Sequence, residues 1–234
     1  MIEWLYPVQC PVCLRIVLPK GALIHPKCVT KLEVLKEPLC KKCGCPVSAE
    51  EEEYCAECSV KNRGWDMGRS VFFYHGTLGE ALLRVKKEGT REFVRFFGIC
   101  MAKSQEAFIK QAAPECIVPV PLHKSRLRSR GFNQAELLAT ALGNEIGLPV
   151  RLLLKKHKKT KDQKSLNRLE RSKNVQDAFF IDREALGGNI PQSVLLVDDV
   201  VTTGSTLSAC ALALKEQGVR SVAFLTVCTG KQSR

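Results

Sequence analysis

The sequence predicts an α/β fold, a mostly parallel sheet flanked by helices, behind a small cysteine-rich N-terminal domain. Three observations lead there. From Ser193 the chain reads SVLLVDDVVTTGSTLSACALALKEQGVRSVAFLTV, a short apolar run, a loop of small residues, a helical repeat and a second apolar run. Eight of the 12 cysteines stand before residue 60. The 234 residues suffice for one mid-sized domain and an appendage, since domains usually run about 100 to 200 residues. The expected division is 1–65 for the cysteine-rich domain and 66–234 for the α/β domain.

The C-terminal segment carries the fold prediction. Val194 to Val197 is short enough for a buried strand. Leu207, Cys210, Ala211 and Leu214 then repeat at helical spacing until Gly218, and Val222 to Val227 forms the next strand. Right-handed crossover makes such strands parallel in a sheet covered on both faces. Further upstream, Cys116 begins an apolar strand that becomes a cationic loop carrying Lys124, Arg126, Arg128 and Arg130. A helix follows, with Asn133 as its cap and Leu137, Leu138, Ala141 and Leu142 on one face.

Bulk composition narrows the function classes. A 45% hydrophobic fraction is ordinary for a globular chain, and no apolar run nears the roughly 18 residues of a membrane helix. The opening MIEWLYPVQC has neither a basic nor an apolar leader region, so a cytoplasmic location and no membrane span are expected. Thirty-six Lys and Arg against 24 Asp and Glu give a net charge of +12, which attracts phosphate-bearing partners by counterion release.

In a reducing compartment, clustered C-x-x-C pairs read as metal sites before disulfides. Cys10 and Cys13, Cys40 and Cys43, and Cys55 and Cys58 form three such pairs. His25-Pro-Lys-Cys28 keeps the same spacer with an imidazole in place of one thiolate. The ligands divide into Cys10, Cys13, His25 and Cys28, and Cys40, Cys43, Cys55 and Cys58. Four protein ligands close a tetrahedral Zn²⁺ site against water, so two structural zinc ions are expected. Large apolar residues are few and Glu50 to Glu53 is an acidic loop, so metal supplies this segment's folding energy. Cys45 stands outside both sets and offers a competing ligand beside Cys43. Cys100, Cys116, Cys210 and Cys228, scattered through apolar stretches, read as free core thiols.

The loop between strand and helix holds the chemistry. Asp198 and Asp199 leave the strand's C-terminal end, the usual ligand crevice of an open α/β sheet. Paired carboxylates there accept hydrogen bonds from a sugar diol or hold Mg²⁺. Thr202, Thr203, Gly204, Ser205 and Thr206 then open the helix, where backbone N–H groups, hydroxyls and the helix dipole favour a phosphate. Neither G-x-x-x-x-G-K-[ST] nor G-x-G-x-x-G occurs, which removes the Walker and dinucleotide readings.

VLLVDDVVTTGST resembles the phosphoribosyl pyrophosphate loop of type I phosphoribosyltransferases. That resemblance implies Asp198 and Asp199 at the ribose hydroxyls and Thr202 to Thr206 around the 5-phosphate, with Mg²⁺ accompanying phosphoribosyl pyrophosphate. The PVPL and RGFNQ segments, with Lys124, Arg126, Arg128 and Arg130, resemble the pyrophosphate loop of the ComF branch, which also begins with a zinc domain. The stretch from Tyr74 to Lys86 then corresponds to the hood. KKHKKTKDQKSLNRLERSK, from Lys155 to Lys173, holds nine Lys or Arg, among them Lys156, Lys158 and Lys159, against Asp162 and Glu170; by itself it reads as a solvated charge run, and the resemblance implies a basic lid. His25 departs from the Cys that such relatives usually carry.

Two functions follow. The resemblance implies a competence factor that binds phosphoribosyl pyrophosphate with Mg²⁺ and single-stranded DNA, alongside other competence or DNA-processing proteins. Net charge and basic loops suit sequence-independent DNA binding. The alternative is an active phosphoribosyltransferase releasing pyrophosphate to an acceptor that the sequence does not identify. Purine-type relatives place an acid where this chain has Thr202, so no general base is evident. Trp4 and Trp65 read as core residues before base-stacking platforms.

Overall fold

The structure, a computed structural model, describes residues 8–18, 21–156 and 178–230. Four parallel strands form the central sheet in the order β1 (Met67–Phe73), β6 (Ser221–Thr229), β5 (Ser193–Val201), β2 (Cys116–Pro119). The near-continuous apolar runs of β5 and β6 are those of strands covered on both faces. β3 (Leu154–Lys156) and β4 (Phe179–Ile181) pair antiparallel beside it.

One face packs against α3 (Gly76–Glu88), α4 (Arg91–Ser104), α5 (Glu106–Ala112) and α7 (Gln134–Ile146). In α4, Phe93, Phe97 and Met101 recur every four residues and are fully buried, giving the stripe that seats the helix on the sheet. The opposite core joins α9 (Ser205–Glu216) to the β3–β4 pair and to α8 (Arg183–Leu186). The cysteine-rich segment has only two short helices among its described residues, α1 (Pro26–Val29) and α2 (Ala56–Val60). Cys10 and Cys28 belong to the first core, whereas Cys40, Cys43 and Trp65 belong to the second.

Asn133 caps α7 as expected: its Oδ1 accepts from the Ala135 amide at 3.1 Å while its Nδ2 donates to the Val120 carbonyl at 3.0 Å. Trp65 is fully buried, edge-on to Phe224 at 5.0 Å, in keeping with its core reading. Trp4 lies outside the described residues.

Two expectations need correction. β5 does not end at Val197 but runs to Val201, carrying both acids inside the strand with Asp198 opposite Thr226. Val200 and Val201 still find partners in Cys228 and Thr229, so pairing persists past the charged residues. The cationic segment is also not a loop. Lys124–Arg130 is a helix, α6, whose cap His123 accepts from the Ser125 amide at 3.1 Å and whose end is set by left-handed Gly131. α6 buries none of its residues, so it has no apolar stripe for periodicity to detect.

Candidate functional site

The two acids face different sides of the sheet, because successive strand side chains alternate. Asp199 turns toward α3, where Lys86 Nζ stands 2.8 Å from its Oδ2. That oxygen is shielded from solvent and makes no aligned hydrogen bond, so the contact is an ionic one. Asp198 turns toward α9, where its charge bears on Cys210. Burial pushes the Asp198 carboxyl well above its ordinary value, and the Asp199 charge adds to the rise; Lys86 acts against it. The backbone is fixed by the acids themselves, Asp198 Oδ1 accepting from the Asp199 amide at 2.9 Å and Asp199 Oδ1 from the Val200 amide at 3.0 Å.

Beyond Val201 the chain turns through Thr202 and Thr203 into Gly204, which caps α9 with φ +73°. A side chain is excluded there, since a Cβ would come within 2.6 Å of the Trp65 ring. Thr203 Oγ1 lies 3.0 Å from Ser205 Oγ, so the loop's hydroxyls are ordered around the helix start. Thr202, Thr203 and Ser205 are exposed and Thr206 is half-buried, leaving this rim open to an anion.

The described cations among those expected have different partners. Lys156 lies over the Phe179 ring at 4.8 Å. Burial lowers its ammonium pKa; the nearby Arg126 charge pulls the same way, while Cys210 and Asp198 oppose it. Lys155 instead pairs with Asp182 at 2.6 Å. On α6, Lys124 and Arg128 share one side by their four-residue spacing, and Arg126 and Arg130 share another. Arg130 is held by Gln134 of α7. Lys158 and Lys159, with the remainder of the expected lid to Lys173, fall outside the described residues.

Both cysteine-rich sets assemble. The ligand atoms of Cys10, Cys13, His25 and Cys28 all lie within 4.8 Å of one another, as do those of Cys40, Cys43, Cys55 and Cys58. Each set offers the four close ligand atoms that one structural Zn²⁺ would take, and Cys45 belongs to neither. His25 has the arrangement of a ligand: Nε2 is 2.9 Å from the Ile16 carbonyl, leaving Nδ1, 3.3 Å from Cys13 Sγ, for the metal. The first turns match closely. Leu14 and Gly44 each donate four residues back, to Cys10 and Cys40 at 2.8 Å, and both are left-handed. Leu14 therefore accepts a conformation natural to glycine.

Two residues that sequence reasoning passed over stand beside the acids and the loop. Lys86 ends an amphipathic helix, where a lysine pair looks like ordinary solvated charge. Arg63 donates to the Thr203 carbonyl at 2.8 Å and pairs with Glu57 at 2.9 Å. Its proximity to Cys58 was the only hint, and no spacing rule converts it into a contact 140 residues along the chain.

Residues 1–59 match the double zinc ribbon domain and residues 127–234 the phosphoribosyl transferase domain. Competence protein F of Haemophilus influenzae is 30% identical over 192 residues, covering 79% of this chain and 82% of that protein. Competence protein ComFC of Bacillus subtilis is 33% identical over 199 residues, 82% of this chain and 77% of the relative. This chain belongs to the ComF family. DNA utilization protein YhgH of Salmonella typhimurium is 30% identical over 196 residues, 81% of this chain and 83% of its own length. Among the described residues no helix is long and apolar enough to cross a membrane.

Proposed function

We propose that this ComF-family protein binds phosphoribosyl pyrophosphate, or a closely related sugar phosphate, and single-stranded DNA during DNA uptake. The observation that carries the reading is the continuity of β5, the exposed hydroxyl loop and the start of α9, with Asp198 and Asp199 immediately before the loop. In this arrangement Thr202 to Thr206 hold the 5-phosphate, and the carboxylates hold the ribose hydroxyls and Mg²⁺. The metal supplies charge neutralisation to the pyrophosphate. Lys86 adds a cation beside Asp199, so ligand entry exchanges an internal ion pair for contacts to sugar and metal.

DNA binding draws on the net charge of +12 and on the cations of α6 and β3. Relatives named for competence and DNA utilization support a partner of that class. The reading of both cysteine clusters as zinc ligands and not disulfides favours a reducing compartment, which supports the cytosol. Calorimetric titration with phosphoribosyl pyrophosphate and Mg²⁺ tests the sugar-phosphate reading. The wild type should bind, and Asp198→Ala with Asp199→Ala should abolish binding while the far-ultraviolet circular dichroism stays unchanged. Equal affinity in the folded double variant would place the ligand elsewhere.

A further inference from the structure

Residues 63–65 connect the second ligand set directly to the loop and to α9. Glu57 stands between the ligands Cys55 and Cys58, and its Oε2 is 2.9 Å from Arg63 Nη2. The same guanidinium, through Nη1, donates to the Thr203 carbonyl at 2.8 Å. Its side chain is only 6% exposed, so the charge has little water to fall back on. Adjacent residues repeat the connection. Gly64 donates its amide to Ser208 Oγ of α9 at 3.0 Å, and Trp65 Nε1 donates to the carbonyl of Lys42, between ligands Cys40 and Cys43, at 2.8 Å. The Trp65 ring in turn closes on Gly204.

We propose that Arg63 is a positioning residue through which occupancy of the second zinc site sets the affinity of the Thr202–Thr206 loop for its ligand. The proposal rests on that loop being the sugar-phosphate site. Both halves of the second ligand set are bonded to one three-residue strut, and the strut is bonded to the loop. Zinc holds Cys55 and Cys58 together and so fixes Glu57; Glu57 fixes the guanidinium, and the guanidinium fixes the Thr203 carbonyl and the peptide that follows it. A lysine cannot replace Arg63, because a point charge lacks the fork that spans two acceptors at once. Among the described residues the first zinc site has no such connection to the loop, since Cys10 and Cys28 pack in the core on the other face.

Coupling between sites is reciprocal, so the ligand must strengthen zinc binding by the factor by which zinc strengthens ligand binding. The test uses the zinc-loaded full chain and measures the second site's zinc affinity by chelator competition, with and without phosphoribosyl pyrophosphate and Mg²⁺. The ligand should tighten that site about tenfold, within the usual range for coupled sites, and leave the first site unchanged. Arg63→Lys should keep two zinc equivalents and lose the coupling; Glu57→Gln provides the same test with less disturbance of the core. A wild type that binds the ligand without any change in zinc affinity overturns the inference, as does full coupling in both variants. If the wild type does not bind phosphoribosyl pyrophosphate, the reading of the loop fails instead. Amide exchange in the ligand-free protein still decides the role of Arg63: faster exchange at 203–206 in the variants supports it, and unchanged exchange refutes it.

Discussion

Asp198 stands where burial and binding pull in opposite directions. Its carboxyl is raised because burial penalises the charge and Asp199 repels it, so the free protein is most stable with this group protonated. The stability it contributes is present below the unfolded carboxylate value of about 3.9 and is lost as pH rises through the raised folded value. A diol or Mg²⁺ needs the ionised form, and ligand affinity therefore rises with pH over the same interval. Asp198→Asn removes the ionisation without changing the shape. It should raise the melting temperature at neutral pH, weaken binding of phosphoribosyl pyrophosphate, and flatten the pH dependence of what binding remains. Thermal unfolding and calorimetry across pH check all three; an Asn variant that melts lower at neutral pH would show that the Lys86 and backbone contacts outweigh burial. The acids themselves were plain in the sequence as a carboxylate pair beside a hydroxyl loop. Their separation onto two faces was not, because the sequence placed them after the strand and alternation applies only within it.

At the scale of elements, the basic segments divide by geometry. Lys155 and Lys156 are neighbours in β3 and so point to opposite sides, one to Asp182 and the other toward Asp198 and Arg126. If the site's rim also carries DNA, Lys156→Ala should flatten the salt dependence of single-stranded DNA affinity, by a slope of about 0.7 for each phosphate it no longer neutralises. Lys155→Ala should change it less, its charge being already offset by Asp182. Fluorescence anisotropy over a salt series measures both slopes, and equal effects would count against a shared rim. β2, β5 and β6 were legible as short apolar runs, because cover on both faces leaves little room for polar residues, and α7 and α9 because one buried face imposes a period of 3.6. α6 escaped for the same reason, since an exposed, highly charged helix carries no period, and only His123 and Gly131 mark its ends.

For the whole molecule, the cysteine-rich segment and the α/β sheet share their cores. The first ligand set packs on the α3–α4 face and the second on the α9 face, so the two metal sites grip opposite sides of one sheet. Ligand spacing disclosed both sets, because a tight turn is a local geometry that two intervening residues specify. The docking was not legible. Arg63, Gly64 and Trp65 reach partners in α9 and its loop across a long stretch of sequence, and the expected division after residue 65 passes directly beside them. Amide hydrogen exchange with and without phosphoribosyl pyrophosphate and Mg²⁺ tests the central assignment most directly, since it reports where the ligand sits. Protection should centre on 202–206 and extend to the start of α9; protection confined to the cysteine-rich segment, or none in the loop at saturating ligand, would contradict it.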